Sequence, residues 1–260
     1  MDDSGLQWGM ARLDEIVSFL NTELRLEEIP DYPGAHNGLQ LQNGGEVSRV
    51  VAAVDASLPV VEKAVAAGAD LLVVHHGMFW QGVRQITGAH YRKLKFAMDA
   101  GLAIYSAHIP LDVHLRLGNN ALLADRLGLK NRDSFFKWKG VDLGLRGELE
   151  MNLAELKELF SEVVEGPVLL RGEVNCPVGR LGIITGGAGS EVEAVSACGV
   201  DTFITGEGPH WSFPLAEELG LNVLYGGHYA TETFGVKRLV QEIDQQFATT
   251  SAFVHHPSGL

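Results

Sequence analysis

The sequence predicts an α/β protein built from two pseudo-repeated α/β lobes with largely parallel sheets. Short apolar runs with strand character alternate with longer stretches whose apolar positions recur at helical spacing. A segment near the start repeats without a gap in the second half of the chain. Each repeated strand then runs into polar residues at its C-terminal end, where open α/β sheets bind ligands.

Residues 11–28 read as an amphipathic helix, with Leu13, Ile16, Val17, Leu20 and Leu24 on one stripe. Pro30, Pro33 and Gly34 then open a loop that carries HNGLQL at 36–41. VVAAV at 50–54 is a strand, and Ser57 caps a helix that runs through Ala67 and stops at Gly68. LLVV at 71–74, apolar on both faces, suits a buried parallel sheet and leads into His75-His76-Gly77. A polar helix near 87–100, the strand LAIYSA at 102–107, the segment HIPLD at 108–112 and a helix over 118–128 follow. Residues 129–170 are less regular, except that NLAE at 152–155 offers a cap with Glu three residues later and starts a helix to Val164. GRLGIITGG at 179–187 is a strand entering a glycine-rich turn, and SEVE at 190–193 reads as a capping box for a helix ending at Gly199. DTFIT at 201–205 and LNVLY at 221–225 are strands that end at Gly206-Glu207 and Gly226-Gly227-His228. A last helix covers about 231–247.

Residues 49–77 align with 180–208. Arg49, Val61, Glu62, Ala66, Gly68, Asp70 and Gly77 match Arg180, Val192, Glu193, Ala197, Gly199, Asp201 and Gly208, and His76 falls opposite Glu207. After a shift of one, AGLAIYSAHIPLD at 100–112 lies opposite LGLNVLYGGHYATE at 219–232, pairing His108 with His228 and Asp112 with Glu232. The expected organisation is a first lobe at 1–128, a connecting segment at 129–164, a second lobe at 165–250 and a loose tail at 251–260. The lobes are expected to face their strand ends into a shared cleft.

Composition narrows the function. Hydrophobic residues make up 46% of the 260, which suits a folded core and excludes a disordered chain. A net charge of −13 argues against a general nucleic-acid or acidic-membrane binder and suits a bound cation. Two cysteines, Cys176 and Cys198, in unlike contexts give no disulfide framework and point to a reducing, cytoplasmic location. The start MDDSGLQW has no apolar core, so no signal peptide is read, and no stretch has the length of a membrane span.

Three elements carry chemistry. His75-His76 follows a strand, and Gly77 permits a turn that brings both imidazoles to one site; the plain alternative is one structural and one exposed histidine. Asp112 with His108 joins a carboxylate to an imidazole; the alternative is an Asp that serves a helix start. His228 and Glu232 lie four apart after two glycines, on one helix face or across its first turn. Together, three histidines and two carboxylates at strand ends are enough for two metals that share a bridging carboxylate and activate water. His108, Glu207 and His210 are second-tier catalytic candidates, through ligand orientation, proton movement or substrate contact. His90 and His114 read as solvated, and His255-His256 as part of the loose tail. The turn at 184–189 lacks the Lys-Ser/Thr of a phosphate loop. Trp80 and Trp211 follow the repeated strand ends and suit base stacking or rim packing.

LLVVHHGMFW at 71–80, SAHIPLD at 106–112, TGEGPHW at 205–211 and GGHYATE at 226–232 resemble the Nif-three-like family, also known as type 2 GTP cyclohydrolase I. HNGLQ at 36–40 resembles the family's N-terminal Asn-Gly-Leu element. The order and spacing match over nearly the whole chain, which is of the short form without an inserted middle domain. The resemblance implies a dinuclear metal centre in the cleft of a two-lobed subunit, with His75, His76, Asp112, His228 and Glu232 as ligands and Glu232 bridging. It also implies a toroidal homo-hexamer and hydrolytic opening of the GTP imidazole ring. The residues alone support a metal-dependent hydrolase whose activated water attacks carbon or phosphorus of a small substrate, with zinc, iron, manganese, cobalt or nickel; a nucleotide or another small phosphorylated substrate is what the resemblance implies. The competing reading is a non-enzymatic metal-binding regulatory or interaction protein.

Overall fold

The computed structural model describes residues 10–80, 82 and 84–259. The acidic start MDDSGLQW, and with it the reading of no signal peptide, lies outside the described residues. In chain order the elements begin with β1 (Ala11–Arg12), α1 (Leu13–Glu23), β2 (Gly38–Leu41), β3 (Glu46–Val47), β4 (Arg49–Asp55) and α2 (Leu58–Ala66). Then come β5 (Leu71–His76), α3 (Gly88–Asp99), β6 (Ala103–Ser106), α4 (Ile109–Asp112), α5 (Asn119–Leu127) and β7 (Lys130–Trp138). They continue with β8 (Val141–Glu148), α6 (Leu153–Val164), β9 (Leu169–Arg171) and β10 (Arg180–Ile183). After a 3-10 turn at Ala188–Glu191 come α7 (Val192–Ala197), β11 (Thr202–Thr205), α8 (Ser212–Glu218) and β12 (Asn222–Tyr225). The chain closes with α9 (His228–Thr231), α10 (Thr233–Gln246) and β13 (Thr250–Phe253).

The chain forms two compact units. The first holds the described residues up to His108 together with Val236–His256, and the second holds Ile109–Gly235 and the residues from Pro257. In the first unit five strands run in the order β13-β4-β5-β6-β2. β13, β4, β5 and β6 are parallel, and β2 closes the far edge antiparallel to β6. Apolar runs bury both faces of β4 and β5, as a parallel sheet requires. Val51, Leu72, Val74 and Ile104 pack against Val60, Val61 and Ala64 of α2 and Ala97 of α3. Each of these valine, leucine and isoleucine side chains contributes about 1.5–3 kcal/mol by leaving water. α2 starts where the sequence predicts, with Ser57 Oγ accepting from the Val60 amide at 3.4 Å.

In the second unit six strands run in the order β7-β8-β10-β11-β12-β9. β10, β11 and β12 are parallel, while β8 and β9 flank them antiparallel. Alternation divides the side chains: Leu181, Ile183, Ile204 and Leu224 pack with Leu156 and Phe160 of α6, and Phe203 and Val223 pack with Val192 and Val195 of α7. Asn152 caps α6 in a capping box with Glu155, as expected.

The repeat is real at the backbone. Val50 pairs with Leu71 across β4 and β5, and Leu181 with Thr202 across β10 and β11, the same offset in both units. Several sequence expectations need correction. The division falls at 108/109 and 235/236, because one half of the repeat recruits its outer strand and last helix from the C-terminal region. The segment expected to be loose from 251 begins as the edge strand β13, paired with β4 from Thr250–Arg49 to Phe253–Ala52, and only 254–259 is without regular structure. The less regular middle is the β7–β8 hairpin, turned by Lys139 and Gly140, both at positive φ. The first helix stops at Glu23, where Arg25 turns left-handed and the apolar stripe ends. SEVE forms no capping box: Ser190 lies inside the 3-10 turn, and the start of α7 has no side-chain cap. HNGLQL is no plain loop, since its last four residues are β2.

Candidate metal-binding donors at the strand ends

In the first unit β5 ends on His75-His76, and His108 follows β6. The three rings meet, with centroids 4.8 Å apart for His75–His76, 4.9 Å for His75–His108 and 5.5 Å for His76–His108. Their ligand nitrogens lie within 4.8 Å of one another, so the group could hold a metal ion. Each ring is held from behind. His75 Nδ1 lies 2.9 Å from the Ala107 carbonyl, which can only accept, so Nδ1 carries the proton and Nε2 the lone pair. His76 Nδ1 meets Asp55 Oδ1 at 2.9 Å, and His108 Nδ1 meets Asp31 Oδ1 at 2.8 Å. Burial works against the Asp31 charge, but hydrogen bonds from His108 and Asn37 hold its carboxyl below the ordinary carboxylate range. Asn37 closes the clamp: its Nδ2 donates to Asp31 Oδ2 at 2.7 Å, and its Oδ1 accepts from the His108 amide at 2.8 Å. Gln40 Oε1 accepts from the Met78 amide at 2.7 Å and so fixes the turn after His76. The HNGLQ segment therefore orients the histidines.

In the second unit Asp112 is buried at the end of α4. Asn119 Nδ2 donates to its Oδ1 at 2.7 Å, and Asn120 Nδ2 donates to its backbone carbonyl at 3.2 Å. His228 opens α9 between two carboxylates, with Nδ1 2.7 Å from Glu207 Oε1 and Nε2 3.1 Å from Glu232 Oε1. Burial would lower the His228 pKa, but Glu232 and then Glu207 outweigh it and lift the ring to about 9. The point between these carboxylates favours positive charge, as a cation site must. The Thr185-Gly186 turn separates Asp112 from Glu232. Thr185 Oγ1 lies 3.5 Å from Asp112 Oδ1, and a Cβ on Gly186 would fall 2.2 Å from Glu232 Oε1.

Thus the first unit gathers His75, His76 and His108, and the second gathers Glu207, His228 and Glu232, with Asp112 across the same turn. His210 stands exposed before α8 with no hydrogen bond to this group. His114 is not a solvated helical residue, because its Nδ1 accepts from the Leu117 amide at 3.0 Å and closes a turn. The glycine turn at 184–189 packs on Glu232 and His228. Sequence reasoning missed Asp31, Asp55, Asn119 and Asn120. Asp55 had one signal, a carboxylate ending an apolar strand; Asp31 had none beyond its place in a Pro-flanked loop. A cavity of about 990 Å³ along α1 and the 42–46 turn contains none of the histidines.

A duplicated βαβ plan whose parallel strands end in oriented imidazoles and carboxylates defines a class: two-unit α/β proteins with metal-capable donors at their strand ends. The chain belongs to the Duf34/NIF3 (NGG1p interacting factor 3) family, whose sequence model matches residues 11–258. A GTP cyclohydrolase 1 type 2 homolog from Deinococcus radiodurans is 38% identical over 249 residues, covering 95% of this chain and 94% of the relative. A protein of the same name from Pyrococcus horikoshii is 37% identical over 250 residues, covering 95% and 99%. Among solved structures, TTHA1606 from Thermus thermophilus matches with a TM-score of 0.84 at 36% identity, over 96% of this chain and 100% of that one. Reduced HcgD from Methanocaldococcus jannaschii matches with a TM-score of 0.82 at 28% identity, over 94% and 98%. No helix among the described residues is long and apolar enough to cross a membrane.

Proposed function

We propose that the protein is a metal-dependent hydrolase in which His75, His76, Asp112, His228 and Glu232 hold two divalent ions, drawn from zinc, iron, manganese, cobalt or nickel. One observation carries the reading. The strand-end imidazoles have Nδ1 engaged by a carbonyl or a carboxylate, the backing that presents Nε2 to a metal. Bound divalent ions lower the pKa of a coordinated water and so supply a nucleophile near neutral pH. The chain's own groups do the rest. Asp55 and Ala107 aim His76 and His75, and Asn119 aims Asp112. Glu207 holds His228 and is placed to take a proton at its Nδ1. His108, tied to Asp31, is the proton carrier of the first unit. His210 is the substrate contact. The substrate is a nucleotide, with GTP ring opening suggested by the relatives' name. The active form is a cytoplasmic homo-hexamer.

Metal content of protein purified without a His-tag, beside His228→Ala/Glu232→Ala, tests this. About two ions per chain, lost in the variant, are expected. Nucleotides should then raise the melting temperature only when metal is present. No stoichiometric metal after reconstitution overturns the reading. Full metal occupancy with no nucleotide effect or turnover moves the assignment to a metal-binding regulatory protein.

A further inference from the structure

We propose that a pocket beside the histidine cluster of the first unit, walled by Trp80, Arg84, His90 and Lys93, binds the phosphate groups of the substrate. The nucleotide assignment rests on the function proposed above; the anion site does not.

The pocket encloses about 290 Å³ and begins where β5 ends, with Gly77, Met78 and Trp80 in its wall. That volume lies near the lower end of small-ligand sites, roughly 300–1,000 Å³. Its remaining lining comes from Leu58, Arg84 and the first two turns of α3. Three basic side chains face one cavity, and among the described residues no acid lines it, in a chain of net charge −13. The side chains of Arg84 and His90 make no hydrogen bond or ion pair among the described residues. An arginine fork left open in this way matches phosphate geometry with two parallel donors. Lys93 is half-buried and gives one proton to the Ala56 carbonyl at 2.8 Å, which leaves two for another acceptor. Burial alone holds its pKa below the ordinary lysine value, and an anion beside it would offset that cost. The Trp80 Nε1–H is a buried donor with no hydrogen-bond partner among the described residues. The same indole packs against the cluster, with its ring centroid 4.6 Å from that of His108 and 5.6 Å from that of His76. A phosphate chain held here leaves the rest of the ligand at the imidazoles.

The test is calorimetric titration of the full chain, stripped of metal and dialysed, with tripolyphosphate, GTP and guanosine. Without metal, binding reports the pocket alone, so failure here and failure of the hydrolase reading are separate results. Wild type should bind tripolyphosphate and GTP but not guanosine. Arg84→Gln/His90→Gln, at positions outside the core, should weaken both anions at least about tenfold without changing the melting temperature. Lys93→Arg should keep wild-type affinity. Absence of tripolyphosphate binding to wild type, or unchanged affinity in Arg84→Gln/His90→Gln, overturns the site. Tripolyphosphate binding that depends on these residues while GTP binding does not overturns the nucleotide assignment.

Discussion

Ahead of its middle strand, each unit uses the same knot. In the first, Asp70 Oδ2 accepts from the Arg49 amide at 2.9 Å while the Asp70 amide donates to the Arg49 carbonyl at 2.9 Å. In the second, Asp201 does the same with Arg180, at 2.8 and 2.9 Å. At the other end of those strands the units part. His75 is buried as a member of the first cluster, whereas its counterpart Gly206 has no room for a side chain: a Cβ there would lie 2.6 Å from His228 Cα and 2.7 Å from the Gly186 carbonyl. The first unit thus presents imidazoles, with their carboxylates held behind them. The second brings Glu207 and Glu232 directly onto one imidazole. A shared scaffold fixes where donors appear, and room for a Cβ at the strand end decides which donors they are.

The largest expected effect breaks this contrast. Gly206→Ala forces backbone apart and should cost about 3 kcal/mol by urea denaturation. Gly77→Ala meets only the amide end of Gln40 and should cost clearly less. Equal losses would mean that room at the strand end does not separate the units.

The carboxylates behind the imidazoles come next. Asp55→Asn, behind His76 in the first unit, and Glu207→Gln, behind His228 in the second, should each lower metal affinity by about ten- to a hundred-fold, read by competition with a chelator. Unchanged affinity in both would remove the carboxylate backing from the account.

Smaller differences sharpen the shared knot. Asp70 accepts from the Ser48 amide and hydroxyl as well as from Arg49. Asp70→Ala should therefore cost about 2 kcal/mol and Asp201→Ala about 1, compared by thermal melts. An inverted order would show that the two turns are not equivalent.

The smallest effect belongs to a tie found on the second unit's sheet. Asp133 bridges Arg146 and Arg180 at 2.9 and 2.7 Å across β7, β8 and β10. Arg146 first, with Arg180 adding to it against a small burial cost, holds the Asp133 carboxyl below its ordinary range. The stabilisation is therefore full above the ordinary value near about 3.9 and is lost as pH falls through the lower folded value. Solvent screens the bridge, so Asp133→Asn should cost under about 1 kcal/mol at neutral pH. The difference between variant and wild type should vanish in strong acid.

Parallel strands were readable because burial on both faces leaves unbroken apolar runs, as in VVAAV and LLVV, with a capped helix between them. The antiparallel edges were not. β7 reads Lys-Asn-Arg-Asp-Ser-Phe-Phe-Lys-Trp, whose polar half faces water and hides the alternation. β13 is four residues of Thr-Ser-Ala-Phe and becomes a strand only because β4 offers an edge. The histidines and carboxylates announced themselves through glycine-flanked strand ends. Asp31 did not, since its role depends on meeting His108 from 77 positions away.

The edge position of β13 also bears on the order of events at the ribosome. Residues 109–235 are contiguous, so the second unit has its whole sheet in hand once they emerge. The first unit, although begun earlier, waits with one side of β4 open until Phe253 has been made. During that interval β4 is an unpaired apolar edge of the kind that recruits other chains. Translation of residues 250–253 therefore closes the half of the protein that was started first.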